Sequence, residues 1–95
     1  MEYAIEHEEQ GTRGVFHVLR SGQRVGEMTY SRTQPSLAVV DHTYVDPGLR
    51  GQGVAQHLQD AMVAWARKTG TKVVPACSYV KLQFARDASI RDVMA

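Results

Sequence analysis

The sequence predicts an α/β fold: a mixed, mostly antiparallel sheet of about five strands, a long crossover helix and short C-terminal helices. Three observations carry this reading. Residues 2–45 form short β-rich runs with partial apolar alternation, separated by turn residues. From Gly51 the apolar spacing changes to that of a helix. A short strand-like run at 72–76, with Val73 and Val74, then precedes a second, shorter helical pattern.

Taken in order, residues 2–8 are expected to form the first strand, with Tyr3, Ile5 and His7 on one face. Residues 15–20 make a second, with Phe16 and Val18 opposed to Val15, His17 and Leu19. The turn Ser21-Gly22-Gln23 leads to a third strand at 24–31, and Gln34-Pro35-Ser36 turns the chain again. The fourth strand, 37–45, sets Leu37, Val39, Asp41, Thr43 and Val45 against Ala38, Val40, His42 and Tyr44, unless a bulge interrupts the alternation. Short connections make these four an antiparallel meander. Over 51–69, Val54, Ala55, Leu58, Ala61, Met62, Trp65 and Ala66 share a helical face. Arg67 and Lys68 suit the negative end of that helix, and Gly70 marks its stop. The strand at 72–76 is then reached by a right-handed crossover, parallel to the fourth. Residues 79–86 read as a shorter helix, and Ile90, Val93 and Met94 add a further turn or two. With no repeat or linker, residues 1–95 are read as one domain.

Composition narrows the function. Hydrophobic residues make up 43% and charged residues 22%, with no apolar run near the ~20 residues of a membrane-spanning helix. No membrane partner is therefore expected. The acidic stretch Glu2, Glu6, Glu8, Glu9 stands where a secretory or mitochondrial leader would be basic, which places the chain in the cytoplasm. A formal charge of +1 argues against a nucleic-acid partner, so any anion site must be local. The single cysteine, Cys77, permits neither an internal disulfide nor a multi-cysteine metal cluster. His7, His17 and His57 lack the local spacing of a zinc site, and no metal is expected.

The most informative segment is Val45-Asp46-Pro47-Gly48-Leu49-Arg50-Gly51-Gln52-Gly53-Val54-Ala55, between the fourth strand and the long helix. A helix begins with amides that lack intrahelical acceptors, and Ser, Thr, Asp or Asn usually caps them. None of these stands between Pro47 and Val54. Gly51 and Gly53 leave the backbone open, so the amides and the positive helix end can receive an anion, with a diphosphate the natural guest. The same glycines would also suit a tight turn whose amides meet water. Gln56 stands where the dinucleotide fingerprint needs glycine, and the Gly-Lys-Ser/Thr ending of a nucleotide-triphosphate loop does not occur.

On these residues the chain resembles the GNAT superfamily of N-acetyltransferases, whose acyl-CoA motif is met by Arg50, Gly53 and Ala55. It is similar in particular to the small single-domain GNAT-like family, which carries a cysteine after the fifth strand. The likeness rests on Val25-Gly26-Glu27-Met28-Thr29-Tyr30, on Asp41 through Leu58, and on Val73-Val74-Pro75-Ala76-Cys77-Ser78-Tyr79. It implies acetyl-CoA or coenzyme A as cosubstrate, an amine of unknown identity as acceptor, and parallel fourth and fifth strands that splay to admit the pantetheine arm. Pro75, without an N–H, suits such a gap. Carried over residue by residue, the diphosphate contacts fall on Arg50, Gly51, Gln52, Gly53, Val54 and Ala55, and the acyl carbonyl near Tyr44 or Val45. Two departures stand out. Residues 8–15 are too few for the helices with which larger members build an acceptor wall, leaving that side open or completed by a partner chain, as in a homo-oligomer. Arg86-Asp87-Ala88-Ser89 stands where the small family has a His-Pro-Glu-like triplet.

Three residues are candidates for chemistry. Acetyl transfer needs a neutral amine, although a lysine amine has pKa ~10.4, and His42 is the candidate base or else a hydrogen-bonded sheet histidine. Cys77, just before a helix, is a candidate nucleophile, acetyl carrier or redox-sensitive thiol, or else a small buried residue. Tyr79 is a candidate acid for the leaving thiolate, as a tyrosine near this position is in many larger relatives, or else packs on the core. A coenzyme A binding or thiol-sensing module with little turnover is the alternative to an enzyme.

Overall fold

The computed structural model describes residues 2–95. Its sheet runs β1 (Ala4–Gln10), β2 (Arg13–Arg20), β3 (Gln23–Gln34), β4 (Leu37–Val45) and β5 (Lys72–Pro75) in that spatial order. The first three pairings are antiparallel and β4–β5 is parallel. Helix α1 (Val54–Thr69) makes the crossover, α2 (Ser78–Arg86) follows β5, and tight helical turns at Ala88–Val93 close the chain. Among the described residues, no helix is long and apolar enough to cross a membrane.

Side-chain alternation explains why the sheet buries one face. Phe16, Val18, Met28, Tyr30, Ala38 and Val40 are buried and meet Leu58, Met62 and Ala66 from α1, with Val80 and Phe84 from α2 completing the core. Fully burying each valine, leucine, methionine or phenylalanine among them contributes about 1.5–3 kcal/mol. The anticipated bulge in β4 lies at Asp41, where the register slips between Thr29↔His42 and Tyr30↔Val40. It keeps Ala38, Val40 and Val45 all in the core and turns both Asp41 and His42 to solvent. Thr29 fixes the bulge, its hydroxyl donating to the Asp41 carboxylate at 2.7 Å.

At the far side of the core, Tyr30 and Trp65 rings lie 4.6 Å apart, and His7 stacks on Phe16 at 4.2 Å. The Tyr30 hydroxyl donates to Glu9 at 3.0 Å and so accepts from His7 Nε2 at 2.7 Å, while Arg32 donates to Glu9 at 2.5 Å. This network ties the otherwise exposed edge strand β1 to the core, a task its own sequence of mainly polar residues does not perform by apolar burial.

Candidate functional site

The opening that the parallel pair creates is the first element of the site. β4 and β5 pair only from Leu37↔Lys72 to Val40↔Pro75. Lys72 and Ala76 donate to the Ser36 and Val40 carbonyls of the β4 side, so alternation points the Pro75 nitrogen away from β4, where it needs no donor; the pairing ends because the amides of Ala76 and Cys77 both donate to the Val40 carbonyl, at 2.9 and 3.0 Å, as the chain turns into α2. Residues 41–45 of β4 therefore have β3 on one side and no strand on the other.

The second element is the start of α1. Its N-cap is Gly53 at φ +81°, preceded by Gly51 at φ +85°, and no side chain caps it. Both angles belong to the left-handed region, where a side chain is strained, and a Cβ on either glycine would meet no protein atom within 4 Å. The requirement for glycine is thus conformational and the space above the turn is open. In the turn the Gln52 amide is taken by the Leu49 carbonyl at 3.3 Å, and within α1 the first amide with an acceptor is that of His57, bonded to the Gly53 carbonyl at 3.2 Å. Among the described residues, nothing accepts from the amides of Gly51, Gly53, Val54, Ala55 or Gln56. Five donors and the positive helix end point away from the chain's own acceptors, which is the physical requirement for holding a phosphate.

A cleft of about 600 Å³ joins this turn to α2. One wall is Val45, Leu49, Arg50, Gly51, Gly53, Val54, Ala55 and Gln56; the other is Tyr79, Gln83 and Arg86. Arg50 is steered along its wall by its Nε, which donates to the Val45 carbonyl at 3.2 Å. Tyr79 is half-buried, and that burial, reinforced by the Asp60 carboxylate, raises its phenol above the ordinary 10.0. It therefore carries its proton at neutral pH.

The remaining sequence candidates stand outside the cleft lining. Cys77 caps α2: its thiol accepts from the Val80 amide at 3.5 Å and is bonded to the Thr43 hydroxyl of β4 at 3.3 Å, bridging the splayed strands. Gln52 is exposed on the turn, and Tyr44 is 41% exposed on the sheet face opposite the Val45 core position. His42 shares that face, its Nε2 3.3 Å from Glu27 Oε2. A row runs from there across the strands: Glu27 lies 3.8 Å from His17 Nε2, and Glu6 3.6 Å from His17 Nδ1. These two spacings are too long for hydrogen bonds, and among the described residues the buried His17 Nδ1 has no partner. The structure thus brings together Val45, Arg50, Gly51, Gly53, Val54, Ala55 and Tyr79, and leaves His42 and Cys77 apart from them. Sequence reading missed Leu49, Gln56, Gln83 and Arg86 as cleft residues. For Gln83 and Arg86 the available signal was their spacing of four and seven from Tyr79, which sets all three on one helical face.

This uncapped turn, beside a parallel pair that opens, coincides with a family match: the model of the GCN5-related N-acetyltransferases covers residues 15–93. The chain belongs to that family. Among solved structures, it is 28% identical to a GCN5-like protein from Staphylococcus aureus, with a TM-score of 0.72, covering 95% of this chain and 87% of that one. An aminoglycoside acetyltransferase from an uncultured soil metagenomic sample, solved with sisomicin, is 27% identical at a TM-score of 0.63, over 81% of this chain and 57% of its own. A GNAT acetyltransferase from Elizabethkingia anophelis with acetyl-CoA bound shares the fold at 11% identity and a TM-score of 0.62, over 79% and 52%. The chain thus spans most of the Staphylococcus protein and about half of the larger enzymes. Comparison with curated proteins finds no match. Among the described residues, no group of three or more His, Cys, Asp or Glu side chains is arranged to hold a metal ion.

In this abbreviated member, β1 and β2 are joined by the turn at Gly11 and Thr12, with no helix between them. The sheet face carrying Glu6, His17, Glu27, His42 and Tyr44 therefore lacks helices from that connection.

Proposed function

We propose that the chain is an N-acetyltransferase that holds acetyl-CoA in the cleft between the α1 turn and α2 and moves its acetyl group to an amine. One observation carries this reading: the row of amides without acceptors at the start of α1 opens into the cleft that Val45 and Tyr79 also line. The amides of Gly51, Gly53, Val54 and Ala55 would hold the diphosphate, with Gln52 and Arg50 at its rim, and the free edge of β4 at Tyr44 and Val45 would receive the acyl end. When bound, acetyl-CoA supplies an activated thioester, whose C–S bond gives way to an amide as a neutral amine attacks.

Two protons must move. The amine loses one as the new C–N bond forms, and we assign its acceptance to His42, exposed on the open face with its Nε2 3.3 Å from Glu27 Oε2. The departing sulfur gains one, and Tyr79, kept protonated at neutral pH, is its donor. A cytoplasmic location and a single domain fit this reading.

A second reading has its own support. The connection between β1 and β2 builds no acceptor wall, and the Cys77 thiol faces Thr43 at the splay, where a coenzyme thiol would approach. A coenzyme A binding or thiol-sensing module with little turnover would use the same cleft. Incubation with acetyl-CoA and a panel of amines, with release of free thiol followed, separates the two. The enzyme reading expects amine-dependent thiol release above background, and its absence in the face of measurable coenzyme binding would favour the module. Intact-mass analysis after the same incubation reports whether Cys77 carries an acetyl group, a coenzyme or neither.

A further inference from the structure

We infer that Arg86 recognises the ribose 3′-phosphate of coenzyme A and makes this chain discriminate coenzyme A from its 3′-dephospho form. The inference rests on the coenzyme reading of the cleft and deepens it.

Position along the cleft comes first. Tyr79 sits in the first turn of α2, immediately after the point where β4 and β5 part at Val40↔Pro75. Arg86 ends the same helix face seven residues on, about 10 Å farther at 1.5 Å per residue. A thioester must reach the parted strands, so its nucleotide end extends toward Arg86. The amides of the α1 turn already provide for the diphosphate on the opposite wall. A coenzyme A molecule then has one anionic group left, the 3′-phosphate, and the second wall has one cation to meet it.

The state of Arg86 supports the assignment. Among the described residues it makes no ion pair or hydrogen bond, whereas Arg67 and Arg91 are both engaged. Arg67 is bonded to Asp92, and Arg91 donates to the carbonyls of Phe84 and Ala85, both at 2.7 Å. The adjacent Asp87 is turned away, accepting from the Ser89 amide and hydroxyl at 3.0 and 2.6 Å. Arg91 thus pins the end of α2 from which Arg86 projects, and no carboxylate neutralises the guanidinium. A planar fork on a fixed helix end suits a phosphate monoester.

Isothermal titration of the whole chain with coenzyme A and with 3′-dephospho-coenzyme A tests this. The native protein should bind coenzyme A about tenfold more tightly, the scale of one charge-assisted contact. Arg86→Gln should erase the preference while leaving dephospho-coenzyme affinity unchanged, and Arg86→Lys should restore part of it. Equal affinities in the native chain, or equal weakening of both ligands by Arg86→Gln, would overturn the inference and leave coenzyme binding standing. Failure of the native chain to bind either ligand would remove both. Unchanged thermal melting of Arg86→Gln and Arg86→Lys shows that the comparison is made between folded proteins.

Discussion

Replacing Gly14 by alanine should destabilise the protein severely, because the added methyl meets Tyr30, the largest fully buried side chain among the described residues. A Cβ built at Gly14 lies 2.1 Å from Cζ of Tyr30, 2.3 Å from its hydroxyl and 2.4 Å from Cε2. The ring has no room to yield: it is fully buried, with Trp65, Phe16 and His7 rings at 4.6, 5.7 and 5.8 Å. Overpacking of this kind costs about 1–3 kcal/mol. Displacement of the hydroxyl from His7 and Glu9 adds about 0.5–1.5 kcal/mol per hydrogen bond. A total of about 2–6 kcal/mol is a large share of the ~5–14 kcal/mol expected of a chain this size. At ~4–8 °C per kcal/mol, Tm should fall by roughly 8–48 °C. Thermal melting followed by circular dichroism and by Trp65 fluorescence measures it. A Gly14→Ala melt within about 2 °C of the native one would show that Tyr30 is not held as described. Tyr30→Phe should not rescue it, since the Cζ clash survives loss of the hydroxyl.

Other consequences test other parts of the structure. Gln59 is 2% exposed, yet among the described residues neither its amide nitrogen nor its carbonyl oxygen has a partner, so Gln59→Leu should stabilise the fold by about 1–3 kcal/mol in urea unfolding; a loss of stability would mean that the amide has a structural role. Burial, joined by the Arg32 charge and opposed by Glu9, holds the His7 imidazole below its ordinary 6.5. Because the folded-state pKa is the lower one, this contribution is complete above pH 6.5 and is lost as pH falls through that value towards the folded pKa. Melting between pH 8 and 5 should therefore show a decline that His7→Gln flattens. Tyr79→Phe should lower turnover by about 10²-fold or more while leaving coenzyme affinity nearly unchanged, as for a proton donor in the rate-determining step; equal losses in both would assign Tyr79 to binding alone.

Most of the architecture was legible because it is written in local patterns. The fourth strand matches its predicted span, and the meander, the crossover helix and the parallel last pair all stand as expected. Differences lie at element ends. The long helix starts at Val54 rather than at 51, because Gly51 and Gly53 take left-handed angles that periodicity does not encode. β1 runs to Gln10 rather than ending at 8, since pairing of Glu9 and Gln10 with Gly14 and Arg13 needs no apolar residue. β2 and β3 likewise extend to the turns at residues 11–12 and 35–36. The phosphate-like turn could be read because its residues are consecutive. The opposite wall could not, because Gln83 and Arg86 are polar residues whose meaning depends on where α2 docks. Equally, nothing local announced that His7, Tyr30, Glu9 and Arg32 would form one network across three strands. The Asp41 bulge, raised only as a possibility by the sequence, decides which face His42 takes.

Titration of ¹⁵N-labelled protein with coenzyme A is the most direct measure of whether the start of α1 is an anion cradle. The amide resonances of Gly51, Gly53, Val54, Ala55 and Gln56 should shift together and saturate, with those of Tyr79 and Gln83 following across the cleft. Saturable binding that left those five amides unmoved, or no binding at all at millimolar ligand, would contradict the placement of the coenzyme and the function built on it.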